Sequence, residues 1–313
     1  MLVLCGLVLL RLFVLCLPRS LYLILGRWGG WLAYSLLAGE RRKTESNLKL
    51  ALGSERSDTE LRAISRAVFG HLGQNLVEWI SLAKFTPSNI DSIIEVRGLE
   101  RMRAGLAQGR GVILIGSHFG NWELICPVLV MKLGVPEITV VGRRIYFDKY
   151  NELIVRARRE KGVRTFYRDD PPRRILGALK QNQVVGLVPD QDVDSVDGIF
   201  VNFFGRPAYT PTGPARLARA ARAVLIPCFM IRQGSRYRFE ICDPIEVDMA
   251  RGKDEAIREA TEGWSRVVED TIRRYPEQWA WMHRRWKTQE NAPKDEGSGT
   301  KAVGRGTRGV PDE

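Results

Sequence analysis

The chain of 313 residues is long enough for one substantial core plus an attachment segment, and its 44% hydrophobic content excludes bulk disorder. With 48 Lys+Arg against 36 Asp+Glu it carries a formal charge of +12, which favours nucleic acid, an anionic membrane or a phosphorylated substrate as partner. Five cysteines, an odd number without CxxC spacing, argue against a disulfide framework and a zinc site and point to a reducing compartment.

The first 38 residues contain no acidic side chain and only three basic ones, Arg11, Arg19 and Arg27. A membrane-spanning helix needs about 20 mostly apolar residues, and residues 1–17 and 21–38 are two imperfect candidates, each interrupted by one arginine. Trp28, Trp31 and Tyr34 suit a headgroup belt, and Arg41-Arg42-Lys43 would hold the rest of the chain on the cytoplasmic side. A buried helical hairpin is the competing reading. Length and flanking charge favour an N-terminal membrane anchor over residues 1–38.

Residues 44–85 read as helical, with Leu61, Ile64, Val68, Leu72, Leu76, Trp79 and Ile80 near one face. From about Ile93 the pattern turns to strand, helix, strand: "GVILIGS" and "EITVVGR" are buried strands around the helix "NWELICPVLVMKLG". "NELIVRARREKG" is a helix stopped by Gly162, "PPRRILGALKQNQ" another, and "VVGLVPD" the next strand. "RAVLIPCFMIR" and "YRFEICDPIEV" flank a hairpin signal, "QGS", and "DEAIREATEGWSRVVEDTIRRY" is a long amphipathic helix. This alternation predicts an α/β fold, a mixed sheet flanked by helices, spanning 39–290. Residues 291–313 are polar and Gly-rich and predict a disordered tail.

The chain has three histidines. His71 sits on a predicted helix and His283 in "WMHRRWK", where packing or anion contact is the default. His118 closes a strand, and Glu123 follows five residues later. On a continuous helix that spacing would point the two about 140° apart. They meet if "SHFG" is a loop and Asn121 caps the following helix, so that Glu123 holds one imidazole nitrogen and the other serves as general base. A charge at a helix start is the plainer reading of Glu123.

H-x4-D/E after a strand resembles the membrane glycerolipid acyltransferases. The wider pattern is similar to one branch, the late lipid A acyltransferases that add secondary lauroyl or myristoyl chains. It is carried by "RRKTESNL", "GVILIGSHFGNWEL", "VVGRRIYFDKYNELIVRARREKG", "VVGLVPDQD", "VNFFGRPAYTPTGPARLARAARAVLIPCF" and "PEQWAWMHRRWKT". The resemblance implies an acyl–acyl carrier protein donor, a membrane-bound phosphorylated glycolipid acceptor and a place on the cytoplasmic face of a bacterial inner membrane. It implies His118 as catalytic base with Glu123 as carboxylate partner, and Arg158 and Asp190 as further positions needed for activity. Gln191 falls within the family's variation at that last motif.

A thioester is already activated, so the protein has to make a hydroxyl nucleophilic and stabilise an oxyanion. Amides near Asn121, or Arg158, are candidate oxyanion donors. Arg143-Arg144, Arg156/Arg158/Arg159 and Arg284-Arg285 suit phosphate and an acidic carrier protein, with a solvated helix face as the bland alternative. Thr212 and Gly213 would open a helix whose start suits an anion. Asp190 and Asp192 are more simply loop residues than metal ligands, so neither metal nor cofactor is expected. Three readings compete with acyl transfer to lipid A: an acyl-CoA-dependent enzyme acting on another glycolipid or a lysophospholipid, a thioesterase, and a non-catalytic basic membrane-binding protein. No zinc-finger, RNP-like or helix-turn-helix signal supports a nucleic-acid partner.

Overall fold

The computed structural model describes residues 10–144 and 147–289, so the predicted tail over 291–313 and much of the candidate span over 1–17 lie outside the described residues. Helix α1 (Arg19–Leu36) packs along α3 (Asp58–Ile80), with the short α2 (Ala38–Leu52) linking them. The crossing is close because glycines face each other. A Cβ on Gly30 would fall 2.0 Å from the Phe69 carbonyl oxygen, and one on Gly73 would fall 2.1 Å from that of Gly26. Ser57 starts α3 with a capping box, its side chain accepting from the Glu60 amide while Glu60 accepts from the Ser57 amide.

A helix forms over most of the expected span at 21–38, but not one that meets the expectation of a membrane crossing. Among the described residues no helix is long and apolar enough to cross a membrane. The physical reason is composition: Arg19, Arg27, Ser20, Ser35, Gly26, Gly29 and Gly30 dilute the apolar residues of α1, whose side chains also divide between two environments. Tyr22, Leu23, Gly26 and Gly30 are buried within the protein, while Leu21, Ile24, Leu25, Trp28, Leu32 and Leu36 are exposed on the other side.

The remaining chain alternates as the sequence predicts: β1 (Ile94–Arg97), α4 (Leu99–Ala107), β2 (Val112–Ile115), α5 (Ile125–Leu133), β3 (Ile138–Gly142), α6 (Asp148–Arg159) and β4 (Val163–Tyr167). Then come α7 (Pro172–Lys180), β5 (Val184–Leu187), the hairpin β6 (Gly198–Phe203) and β7 (Arg206–Pro211), α8 (Gly213–Ala221), β8 (Val224–Gln233), β9 (Arg236–Ile241) and α9 (Lys253–Arg274). Seven strands form one mixed sheet in the order β1-β9-β8-β2-β5-β3-β4, parallel throughout except for the β8–β9 hairpin. β2 lies at its centre and is buried on both faces, as expected for an interior parallel strand. Ile113 and Ile115 face a core closed by α3, α7, α8 and α9, whereas Val112 and Leu114 face the core under α4 and α5. In parallel sheets of this kind, ligands sit beyond the carboxyl ends of the strands. Here that edge carries the loops after β2, β3 and β5, which contain His118, Arg143-Arg144 and Asp190-Gln191.

Candidate functional site

The pairing of β2 with β5 decides the geometry. Ile115 is in register with Leu187, and each is followed three residues later by a polar side chain, His118 and Asp190. The two meet: His118 Nδ1 lies 2.7 Å from Asp190 Oδ1, and the His118 amide donates to Asp190 Oδ2 at 2.8 Å. Trp279 Nε1 donates to the same Oδ2 at 2.8 Å. Asp190 is fully buried. Burial alone would raise its pKa, but the charge and hydrogen bonds of His118 and the Trp279 indole outweigh it and hold the carboxyl below its ordinary range. An ionised carboxylate can only accept, so Nδ1 carries the imidazole proton and the lone pair is on Nε2.

This corrects the expected partner of His118. Glu123 makes no hydrogen bond to it; both Glu123 oxygens go to Arg158, with Nη2–Oε1 at 2.6 Å and Nε–Oε2 at 3.1 Å. The reason lies in Asn121. Instead of capping a helix through its side chain, Asn121 precedes a single 3₁₀ turn, Trp122–Leu124, and is buried with its amide donating to Glu78 Oε2 at 3.1 Å. Its anticipated substrate contact is therefore replaced by a structural one. Glu78 is the hub of a buried cluster that includes Arg232 at 2.7 Å, Arg19 and the Tyr237 hydroxyl. Burial would raise the Glu78 pKa, yet Arg232 and Arg19 outweigh it and keep the group ionised.

The loop carrying His118 is pinned on every side. Ala280 N donates to the His118 carbonyl and Gly120 N to the Gln278 carbonyl, both at 2.9 Å, and Asn75 Nδ2 reaches the Gly120 carbonyl at 2.5 Å. Gly120 has φ +54°, and a Cβ there would lie 1.8 Å from the Met230 carbonyl oxygen, so only glycine passes. The Trp122 ring stands edge-on to His118 with centroids 5.3 Å apart.

Gln191 and His283 complete the cluster. Gln191 Nε2 lies 3.1 Å from His118 Nε2 and 2.8 Å from His283 Nε2, and the two imidazoles stack edge-on with centroids 4.9 Å apart. The 3.3 Å approach of the same nitrogen to His118 Nδ1 joins two donors and is no bond in this tautomer. Burial, then His118, lowers the His283 pKa to about 4 against weaker pull from Asp190 and Glu40.

The other expected binding residues are spread more widely. Arg143 and Arg144 are exposed after β3 on the same sheet edge, with the Arg144 guanidinium 4.0 Å over the Tyr167 ring. Thr212 is buried, bonded through its amide and hydroxyl to the Asp197 carbonyl, and Gly213 starts α8 beside it. With Ile199, Arg216, Asp254, Glu255, Ile257 and Arg258, Thr212 lines a cavity of about 510 Å³ that includes no member of the His118 cluster. Arg285 is buried against the Tyr209 carbonyl and Thr210 hydroxyl, while Arg284 is exposed and Arg156 is a solvated i,i+4 partner of Glu160. Among the described residues no group of three or more His, Cys, Asp or Glu is arranged to hold a metal ion.

The family model described as bacterial lipid A biosynthesis acyltransferase matches residues 1–288. The chain belongs to that family. It is 32% identical over 288 residues to the lipid A biosynthesis lauroyltransferase of Escherichia coli (strain K12), covering 88% of each chain. The palmitoleoyltransferase of the same organism is 29% identical over 276 residues, 87% of each chain. A phosphatidylinositol mannoside acyltransferase of Mycobacterium tuberculosis is 29% identical over 195 residues, 61% of this chain and 59% of that one. Family membership makes the protein an acyltransferase. The sequence alone does not reveal Trp279 as a partner of Asp190, and it leaves His283 to packing or anion contact. Their only local signal is the aromatic run "WAWMHRRW" beside a histidine.

Proposed function

We propose that the protein transfers a fatty acyl chain from an acyl thioester, carried by acyl carrier protein, to a hydroxyl of a lipid A precursor. His118 is the general base and Asp190 the group that holds its tautomer. The observation that carries this reading is the 2.7 Å contact between His118 Nδ1 and Asp190, which leaves Nε2 as proton acceptor at the carboxyl edge of the sheet. His118 Nε2 takes the hydroxyl proton as the oxygen bonds to the thioester carbon. The tetrahedral intermediate then expels the thiolate, which recovers the proton from His118. The exposed Arg143-Arg144 supply positive charge for a phosphorylated acceptor and an acidic carrier, while the Arg158 charge is balanced by Glu123.

The exposed face of α1 supports attachment to a lipid surface. Trp28 and Leu32 are 64% and 60% exposed on the same stripe as Leu21, Ile24, Leu25 and Leu36, and basic Arg27 and Arg42 are exposed nearby. A helix lying in the interface, on the cytoplasmic side of an inner membrane, would bring His118 to a membrane-held acceptor. The test is reconstitution of the purified protein with lauroyl and myristoyl thioesters of carrier protein and of CoA. Lipid A precursor and phosphatidylinositol mannoside serve as alternative acceptors, and products are read by mass spectrometry. Ester formation on the lipid A precursor with the carrier-protein donor is expected. Acylation of the mannoside alone would reassign the acceptor, and free fatty acid alone would make the protein a thioesterase.

A further inference from the structure

The proposed chemistry develops negative charge on the thioester carbonyl oxygen, and a donor must meet it. Two of the expected amides near Asn121 are already engaged, Gly120 N on the Gln278 carbonyl and Asn121 N on the Met230 carbonyl. Two of the Arg158 nitrogens are held by Glu123. The side-chain amide of Gln191 is different, because it stands 3.1 Å from the nitrogen that must receive the hydroxyl proton.

Which end of that amide faces the site follows from its two neighbours. Asp190 takes the Nδ1 proton of His118, so His118 Nε2 offers only a lone pair. His283 Nε2 contacts the same Gln191 nitrogen at 2.8 Å, and burial keeps that imidazole uncharged at neutral pH. An amide oxygen in that position would need protons on both Nε2 atoms, and His118 would then be an imidazolium, unable to act as a base. The NH2 end satisfies both lone pairs with its two hydrogens.

We propose that Gln191 is a catalytic residue whose side-chain amide donates to the oxyanion of the tetrahedral intermediate, oriented by the Nε2 lone pair of His283. The inference rests on the reading of His118 as base. In the resting enzyme one amide hydrogen caps His118 Nε2. The acceptor hydroxyl takes over that position, its proton passes to Nε2, and its oxygen bonds to the thioester carbon. The carbonyl π pair moves to oxygen, and the displaced amide hydrogen, one bond angle from the attacking oxygen, meets the new oxyanion. The second hydrogen stays on His283, so the group needs no reorganisation during the reaction. Collapse returns the pair to C=O, breaks C–S and passes the Nε2 proton to the thiolate.

Loss of one such donor typically lowers kcat roughly 10²–10³-fold. The test compares Gln191→Leu, Gln191→Glu, His283→Leu, His283→Gln and the Gln191→Leu/His283→Leu double variant, each matched to wild type by circular dichroism. Two rates are read: acyl transfer to the glycolipid, and slow hydrolysis of the acyl thioester without acceptor, which passes through the same oxyanion. Gln191→Leu should lower both rates by about two orders of magnitude with little change in KM for the glycolipid. Gln191→Glu should be at least as slow. His283→Leu should lose part of the rate, His283→Gln should recover it through its amide oxygen, and the double variant should be no slower than Gln191→Leu. A Gln191→Leu enzyme within threefold of wild-type kcat, or one altered only in KM, would overturn the proposal. A wild type that hydrolyses the thioester but acylates no glycolipid would refute the proposed acceptor, while the hydrolysis rates would still decide the role of Gln191.

Discussion

Replacing Asp190 with Asn removes a charge and keeps the shape, and the structure dictates how the new amide must sit. Oδ2 of Asp190 accepts from two groups that can only donate, the His118 backbone N–H and the Trp279 indole, each at 2.8 Å. Turning an NH2 group toward them would leave two buried donors unpaired, each costing about 1–3 kcal/mol. The amide oxygen therefore takes the Oδ2 position and the NH2 faces His118 Nδ1, where the carboxylate now accepts at 2.7 Å. Nδ1 then becomes an acceptor and the proton moves to Nε2, the atom that must be bare to act as a base. Recovering the active tautomer means reversing the amide at roughly 2–6 kcal/mol in total, a loss of roughly 30-fold to 2 × 10⁴-fold in kcat. The same tautomer logic governs the carboxylate of serine-protease triads. The assay is steady-state acyl transfer at saturating donor and acceptor, with near-ultraviolet circular dichroism to confirm that Trp279 keeps its setting. An Asp190→Asn enzyme within tenfold of wild-type kcat would refute the reasoning.

Glu123→Gln and Arg158→Met should couple with each other, because the pair is bidentate and its side chains are only about one-fifth exposed. A double-mutant cycle in urea should give an interaction of about 1–2 kcal/mol, and additivity would show that the pair is not formed. Acid should weaken the fold well before the carboxylates titrate. The pKa values of His283 and His71 are lowered, mainly by burial, from the ordinary 6.5 to about 4 and about 3, so between these limits the unfolded chain binds more protons. Their contribution is complete above about pH 7 and is lost as pH falls through 6.5 toward 4, roughly 2–4 kcal/mol in total at pH 5. Asp190 and Glu78, held below their ordinary range, add a further loss only below about pH 4. Urea midpoints that stay level from pH 7.5 to 5 would contradict this. Gln at Leu25, Trp28 and Leu32 together should weaken sedimentation with anionic vesicles while leaving thermal stability near wild type, since none of the three is buried. Unchanged sedimentation would remove α1 as the attachment surface.

Much of the fold was legible because it is locally coded. The apolar runs at 112–115 and 184–187, the turn at Gln233–Arg236 and the stop at Gly162 follow period and turn chemistry alone. The β6–β7 hairpin was not recognised. Its turn places Phe204 at φ +54° before Gly205, and no Asn-Gly or Asp-Gly signal announces it. The site was legible as a set of positions but not as a set of partners. Glu123 is five residues from His118 and Asp190 is 72 residues away, and only the β2–β5 register makes the distant acid the nearer one. Hydropathy could not separate the two faces of α1, because both are apolar and only the glycine-lined crossing with α3 shows which one the protein uses.

The most direct test of the account is acyl transfer by purified wild type and His118→Ala on a lipid A precursor, with a fatty acyl–acyl carrier protein as donor. The wild type should yield a product heavier by one ester-linked chain. The variant, folded and bound to vesicles as before, should yield none above background. An alanine variant that acylates at a rate near wild type would take the base, and with it the whole mechanism, away from His118.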